Sequence, residues 1–224
     1  NVTVRLPWKD VEATNDKSYR GMNAFHIEST VPITAYQFNP ISYKIGSTYS
    51  YSNDASLLLP VHAWGSEYMG LTYTGIGIRR SGSYIGAIHG YLTIVAAADN
   101  TTVIFKAKDP TQAASNFNAL AAGGTLSITL KKGEVLQLYN GDSESSVIED
   151  SCMTVYNANI AGNETLCRIA DLTGALITSN KPVAVFSGHE CAYVPHYRYA
   201  CDHMEEQLFP TNTWTSQYIA ARMK

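Results

Sequence analysis

The sequence aligns with itself, without a gap, at a spacing of 150 residues. Ile27, Ser29 and Pro32 fall on Ile177, Ser179 and Pro182. Tyr43 and Tyr49 fall on Tyr193 and Tyr199, and Leu58, Pro60, Trp64, Ser66 and Tyr68 fall on Leu208, Pro210, Trp214, Ser216 and Tyr218. Ten of the forty-two positions from 27 to 68 are identical, which reads as an internal repeat. The expected division is a first all-β unit over residues 1–150 and the start of a second, cut short, over 151–224. A sheet stopped in mid-period exposes a row of amides and carbonyls to which another chain can add. The rest of the parent polypeptide, or a self-assembly partner, is therefore expected to cover that edge.

Strand signals dominate the repeat unit, and no stretch carries a convincing helical period. Residues 33–38 (ITAYQF) and 182–186 (PVAVF) are β-rich runs led by a proline, which suits the first position of a strand. Residues 91–95 and 101–105 flank Asp99 and Asn100, which predicts a hairpin with a turn at its tip. Residues 125–130 and 134–139 flank Lys131, Lys132 and Gly133, which predicts a second. Residues 111–120 read as a short helix or a polar loop, ended by Gly123 and Gly124. The pattern predicts an all-β fold of antiparallel, β-sandwich-like units. Propeller-like blades fit the same strand count.

Charge narrows the partners. Only 16% of the 224 residues are charged and the net charge is −3, so no basic stripe awaits a phosphate backbone and no nucleic acid is expected. The longest apolar run, residues 94–98, is too short to cross a bilayer, and no membrane insertion is expected. A chain that begins at Asn1 rather than Met reads as processed or trimmed. The four cysteines cluster in the second half. They suit two local disulfides, Cys152 with Cys167 and Cys191 with Cys201, in an extracellular or cell-surface protein. Four reduced, buried thiols are the alternative.

The densest chemistry lies between His189 and Glu206. With the cysteines reduced, this stretch suggests zinc; with them paired, His189, His203 and Glu205 form an alternative metal set. The spacing matches no standard zinc motif, and a disulfide-closed loop with structural histidines explains the same residues, so no metal is assigned. Asp142, Glu144, Glu149 and Asp150 offer oxygen ligands for calcium without the spacing of a known loop, and a solvated turn is the simpler reading. Ser187 lacks the glycine on both sides that a nucleophile elbow needs. Glu205 and Glu206, adjacent on a strand, would point to opposite faces and could not flank one glycosidic bond. Trp64 and Trp214 are equivalent in the repeat, which predicts a shared packing role. Tyr43, Tyr49 and Tyr51, with Tyr193, Tyr197 and Tyr199, follow the proline-led strand in each copy and form the candidate binding surface, since tyrosine offers large contact area at little entropy cost.

Five blocks carry a resemblance: residues 25–40 (FHIESTVPITAYQFNP), 52–60 (SNDASLLLP), 98–103 (ADNTTV), 180–191 (NKPVAVFSGHEC) and 201–210 (CDHMEEQLFP). They resemble the IgG Fc-binding protein N-terminal domain family, in wording closer to its bacterial branch than to the vertebrate mucus proteins. The resemblance falls short of a whole domain at its C-terminal end. It implies a secreted or cell-surface adhesion or binding module, non-catalytic, within a larger multidomain protein and facing a protein or glycan of a cell surface or extracellular matrix. No motif here matches a known immunoglobulin contact. A structural subunit of an extracellular appendage or sheath is one alternative, and a metal-dependent enzyme around residues 189–206 is the other.

Overall fold

A computed structural model describes residues 2–7, 18–38, 43–45, 48–50, 54–157, 160–195 and 200–220. In chain order its strands are β1 (Tyr19–Gly21), β2 (Ala35–Phe38), β3 (Tyr43–Ile45), β4 (Thr48–Ser50), β5 (Ala55–Leu58), β6 (Gly65–Met69), β7 (Ile76–Arg80) and β8 (Ser83–Ile88). There follow β9 (Gly90–Ala96), β10 (Thr101–Lys106), β11 (Thr125–Leu130), β12 (Val135–Tyr139), β13 (Met153–Asn157), β14 (Gly162–Arg168), β15 (Leu176–Ala192) and β16 (Asp202–Gln207). Helical structure among the described residues is limited to single 3-10 turns. The fold is all-β and every strand pair is antiparallel.

β15 organises the larger, eight-stranded sheet. Its first part, from Leu176 to Ser179, runs between β10 and β6, and its second part, from Val183 to His189, runs between β9 and β16. The register on β6 shifts between Thr178 and Val183. Pro182 sits at this break, where its missing N–H costs no ladder bond. The proline therefore lies inside a 17-residue strand rather than at the head of a short one. Bending there lets the sheet curl, so that β1, β12 and β9 form one wall and β10 and β11 the other, as sandwich corners do. Leu92, Ile94, Leu136 and Leu138 meet Val103, Phe105, Ile177 and Val185 in a single core.

The curl explains why neither predicted hairpin forms. β9 pairs with β12 and β15, while β10 pairs with β11 and β15. The link at Asp99 and Asn100 is thus an arch from one wall to the other. Lys181 Nζ donates to the Asp99 carbonyl at 2.6 Å and the Thr102 amide donates to Asn180 Oδ1 at 2.8 Å, tying the arch to the bend of β15. β11 and β12 are joined by a second arch, at Gly133, which takes a φ of 74° that favours glycine. Residues 111–120 form an irregular loop, not a helix, with Phe117 turned into the core. Residues on both sides of position 150 share this sheet and core.

A second sheet, β13-β14-β7-β8, encloses a small cluster of Ile76, Leu166 and Tyr193. Both expected disulfides are present, Cys152–Cys167 and Cys191–Cys201. The first joins the start of β13 to β14, and the second closes the loop between β15 and β16.

Segments 150 residues apart agree in local geometry. In β2–β5, Tyr36 faces Leu57 and Gln37 faces Ser56; in β15–β16, Phe186 faces Gln207 and Ser187 faces Glu206. Pro60 and Pro210 each precede a 3-10 turn, with φ of −65° and −67°, and the turns end at Trp64 and Trp214. Their surroundings differ. Ile177 is fully buried between β10 and β6, whereas Ile27 is 57% exposed in a segment without a sheet partner. In dilute solution, Ile177→Ala should lower the unfolding free energy by about 2–5 kcal/mol. Ile27→Ala should change it by less than about 0.5 kcal/mol. Urea denaturation of the two variants checks the contrast.

Candidate binding surface

The stretch richest in reactive side chains is held by structural bonds. His189 lies on β15 and is completely buried. Its Nε2 donates to the Thr74 carbonyl at 3.0 Å, and its Nδ1 accepts from the Cys191 amide at 3.1 Å. With both nitrogens occupied by backbone and burial lowering its pKa to about 4, the ring stays neutral and has no lone pair to offer a metal. His203 Nε2 lies 3.9 Å from Glu205 Oε2 on β16. No group of three His, Cys, Asp or Glu side chains among the described residues is placed to hold a metal ion. Cys191 and Cys201, joined to each other, are not thiolate ligands.

Glu205 is the unusual acid of this region. Burial, reinforced by the charge of Asp54, pushes its carboxyl up to about 7, while Gln37 Nε2 donates to it from β2. The Glu205 amide donates to Asp54 Oδ2 and the Gln207 amide to Ser56 Oγ, so hairpin β2–β5 is pinned against the edge of β16. Glu206 accepts from Ser56 Oγ at 3.3 Å. Ser56 and Glu206 are 150 residues apart, so the β2–β5 and β15–β16 pairs touch at positions with the same spacing. Ser187 Oγ donates to the Leu71 carbonyl rather than facing a base.

A polar and aromatic belt joins the two sheets, and the sequence reading did not find it. His89 is buried, with Nδ1 3.0 Å from Glu190 Oε2 and Nε2 3.9 Å from Asp142. Its ring stacks on Tyr139 at 5.3 Å, and Tyr139 stacks on Tyr91 at 5.5 Å. Tyr91 covers its cross-strand partner Gly188, where a β-carbon would lie 2.2 Å from the tyrosine ring. The small residue beside His189 was the available clue. Tyr73 completes the belt, edge-on to His189 and donating to the Tyr193 carbonyl at 2.9 Å.

The candidate tyrosines divide into three groups. Tyr43 and Tyr49 fall on the β3–β4 hairpin, where Tyr49 faces Lys44 and Tyr43 faces Ser50. Tyr193 lies in the core of the smaller sheet rather than on a surface. Tyr51, Tyr197 and Tyr199 lie outside the described residues. The tryptophans differ from the expected shared packing. Trp64 is half-buried, with Nε1 donating to the Leu59 carbonyl at 2.9 Å, whereas Trp214 is half exposed. In the acidic run, Glu144 and Glu149 converge on Arg79, with N–O distances of 3.4 and 2.6 Å. Two of the four carboxylates of this run are thus paired with one guanidinium. Shallow hollows lie beside Ser66, Glu67, Thr211 and Asn212, and beside Glu28, Ser29 and Thr30.

Curled antiparallel β-sheet, paired cysteines and structurally bonded histidines define a disulfide-bonded all-β domain. Residues 54–224 match the family model described as IgGFc binding protein, and the chain belongs to that family. It is similar to the human IgGFc-binding protein, with 30% identity over 166 residues, covering 74% of this chain and 2% of the human protein. The chain therefore spans a small fraction of that relative. The match does not support the expected bacterial branch. No solved structure matches the chain.

The environment of Glu205 has a measurable signature. Its folded pKa is raised, so its contribution to stability is complete below the ordinary value of about 4.5 and is lost as pH rises through about 7. His189 acts oppositely, losing stability as pH falls from 6.5 towards 4. Between pH 6.5 and 8 the Glu205 effect stands clear of it. Over that range Glu205→Gln should flatten the fall in stability and gain roughly 1–3 kcal/mol at pH 8. Urea midpoints measured across the pH range check this.

Proposed function

We propose that the chain is a non-catalytic adhesion or recognition module, secreted or held at a cell surface within a larger multidomain protein. Membership of the IgGFc-binding family carries this reading. Two disulfides suit an oxidising, extracellular setting. The tied nitrogens of His189 and the carbonyl-bonded Ser187 favour a role without bond-making chemistry. The partner is a protein or glycan of a cell surface or matrix. Immunoglobulin Fc is the first probe, because the human relative bears that name. The β3–β4 hairpin, with Tyr43 and Tyr49, is the proposed contact region.

Beads coated with the chain should adhere to epithelial monolayers or mucus, and binding to purified Fc should be read in parallel by interferometry. Tyr43→Ala with Tyr49→Ala should weaken the productive interaction by about tenfold, the scale of an aromatic anchor. Beads that adhere no better than uncoated ones, together with no Fc binding, would overturn the reading.

A further inference from the structure

Two uncovered segments of this chain are repeat-equivalents of two segments that pair with each other inside it. Within the molecule, β6 lies antiparallel on the first part of β15, with Met69 opposite Leu176, Tyr68 opposite Ile177 and Glu67 opposite Thr178. Tyr68 is buried in this joint. Its hydroxyl accepts from the Gly65 amide at 2.9 Å and donates to the Val183 carbonyl at 2.7 Å. The residues 150 positions away are Ile219 with His26, Tyr218 with Ile27, Gln217 with Glu28, and Thr215 with Ile33.

Both halves of that second joint are exposed. Residues 24–34 are exposed throughout and form no strand. Their apolar side chains Phe25, Ile27, Val31 and Ile33 face solvent, and Tyr218 and Ile219 are 74% and 102% exposed. The 214–219 segment is not a strand, but it shares two features with its buried counterpart. It follows the same 3-10 turn, and the Tyr218 hydroxyl accepts from the Thr215 amide at 3.1 Å, as Tyr68 does from Gly65. Among the described residues no carbonyl receives the Tyr218 hydroxyl. The position corresponding to the Val183 carbonyl is the carbonyl of Ile33.

We propose that residues 214–219 of one molecule add as an antiparallel strand onto residues 26–33 of a second copy, in the register that β6 uses on β15. Backbone ladder bonds supply affinity, and alternate side chains supply register, as in strand addition to a sheet edge. Tyr218 covers Ile27 and its hydroxyl donates to the Ile33 carbonyl. Pro32 occupies the place of Pro182, where the template ladder is broken and no amide is needed. The contact is head-to-tail, since each molecule offers one donor segment and one acceptor segment, so it builds rings or open arrays of copies.

Sedimentation over a range of concentrations tests the proposal on the intact chain. The wild type should self-associate. Ile27→Asp and Tyr218→Asp should each weaken association by about tenfold or more, through a charge buried without a partner. Tyr218→Phe should weaken it by about fivefold, the scale of one hydrogen bond. These sites are exposed in the single molecule, so urea stability in dilute solution should not change. In parallel, Ile27→Cys chains mixed with Tyr218→Cys chains should oxidise to a heterodimer in much higher yield than Ile27→Cys chains mixed with out-of-register Ser216→Cys chains. A wild type that stays monomeric at high concentration would overturn the proposal. So would equal cross-linking yields, or an Ile27→Cys, Tyr218→Cys double variant that oxidises only within one chain.

Discussion

The 17-residue strand β15 belongs to both walls of the curled sheet, and the rest of the fold follows from that double membership. It has β10 and β6 as neighbours before residues 180–182 and β9 and β16 after them. A straight strand could not serve both sets. The break at Pro182 supplies the bend, and Asn180 and Lys181 bond it to the arch at residues 99–102. Ile177, Val183 and Val185 then close the core from one strand, each fully buried. Burying such side chains contributes roughly 1.5–3 kcal/mol apiece, an upper range because the unfolded chain already hides some of the same surface.

That organisation also places the chemistry. Beyond the bend, β15 carries Gly188, His189 and Glu190 into the seam between the two sheets. There the Tyr91 ring needs the bare backbone of Gly188, His189 bridges to Thr74, and Glu190 meets His89. These bonds lie in a low-dielectric setting, where breaking one is costly. Side chains that look catalytic in one dimension are spent on holding the sheets together. The apolar side chains at Phe25, Ile27, Val31 and Ile33 lie outside this seam and stay exposed.

Composition and alternation made the all-β class legible, and clustering of the cysteines made both disulfides legible. The pairing of strands was not. β9 and β10 are consecutive, short-linked and apolar, which is equally the pattern of a hairpin and of an arch; the strands each pairs with lie far along the chain. The fate of the tyrosines was hidden for a related reason. Tyr193 is the repeat-equivalent of Tyr43, yet it follows Cys191, and the disulfide to Cys201 closes a loop in which it packs beside Ile76 and Leu166. The first copy has Ile41 and Tyr51 where the second has these cysteines. The spacing of 150 residues matches local geometry at Pro60 and Pro210, and at the ends of their turns. It did not predict burial, which depends on which strands lie alongside.

Native-state hydrogen exchange followed residue by residue tests the central role of β15 most directly. The account predicts that the amides of Val183, Val185 and Ser187 exchange only through global unfolding and are among the slowest in the chain, while those of β13 and β14 open earlier. Exchange in β15 as fast as in β13 and β14 would contradict it, because the strand shared by both walls would then not be what holds them together.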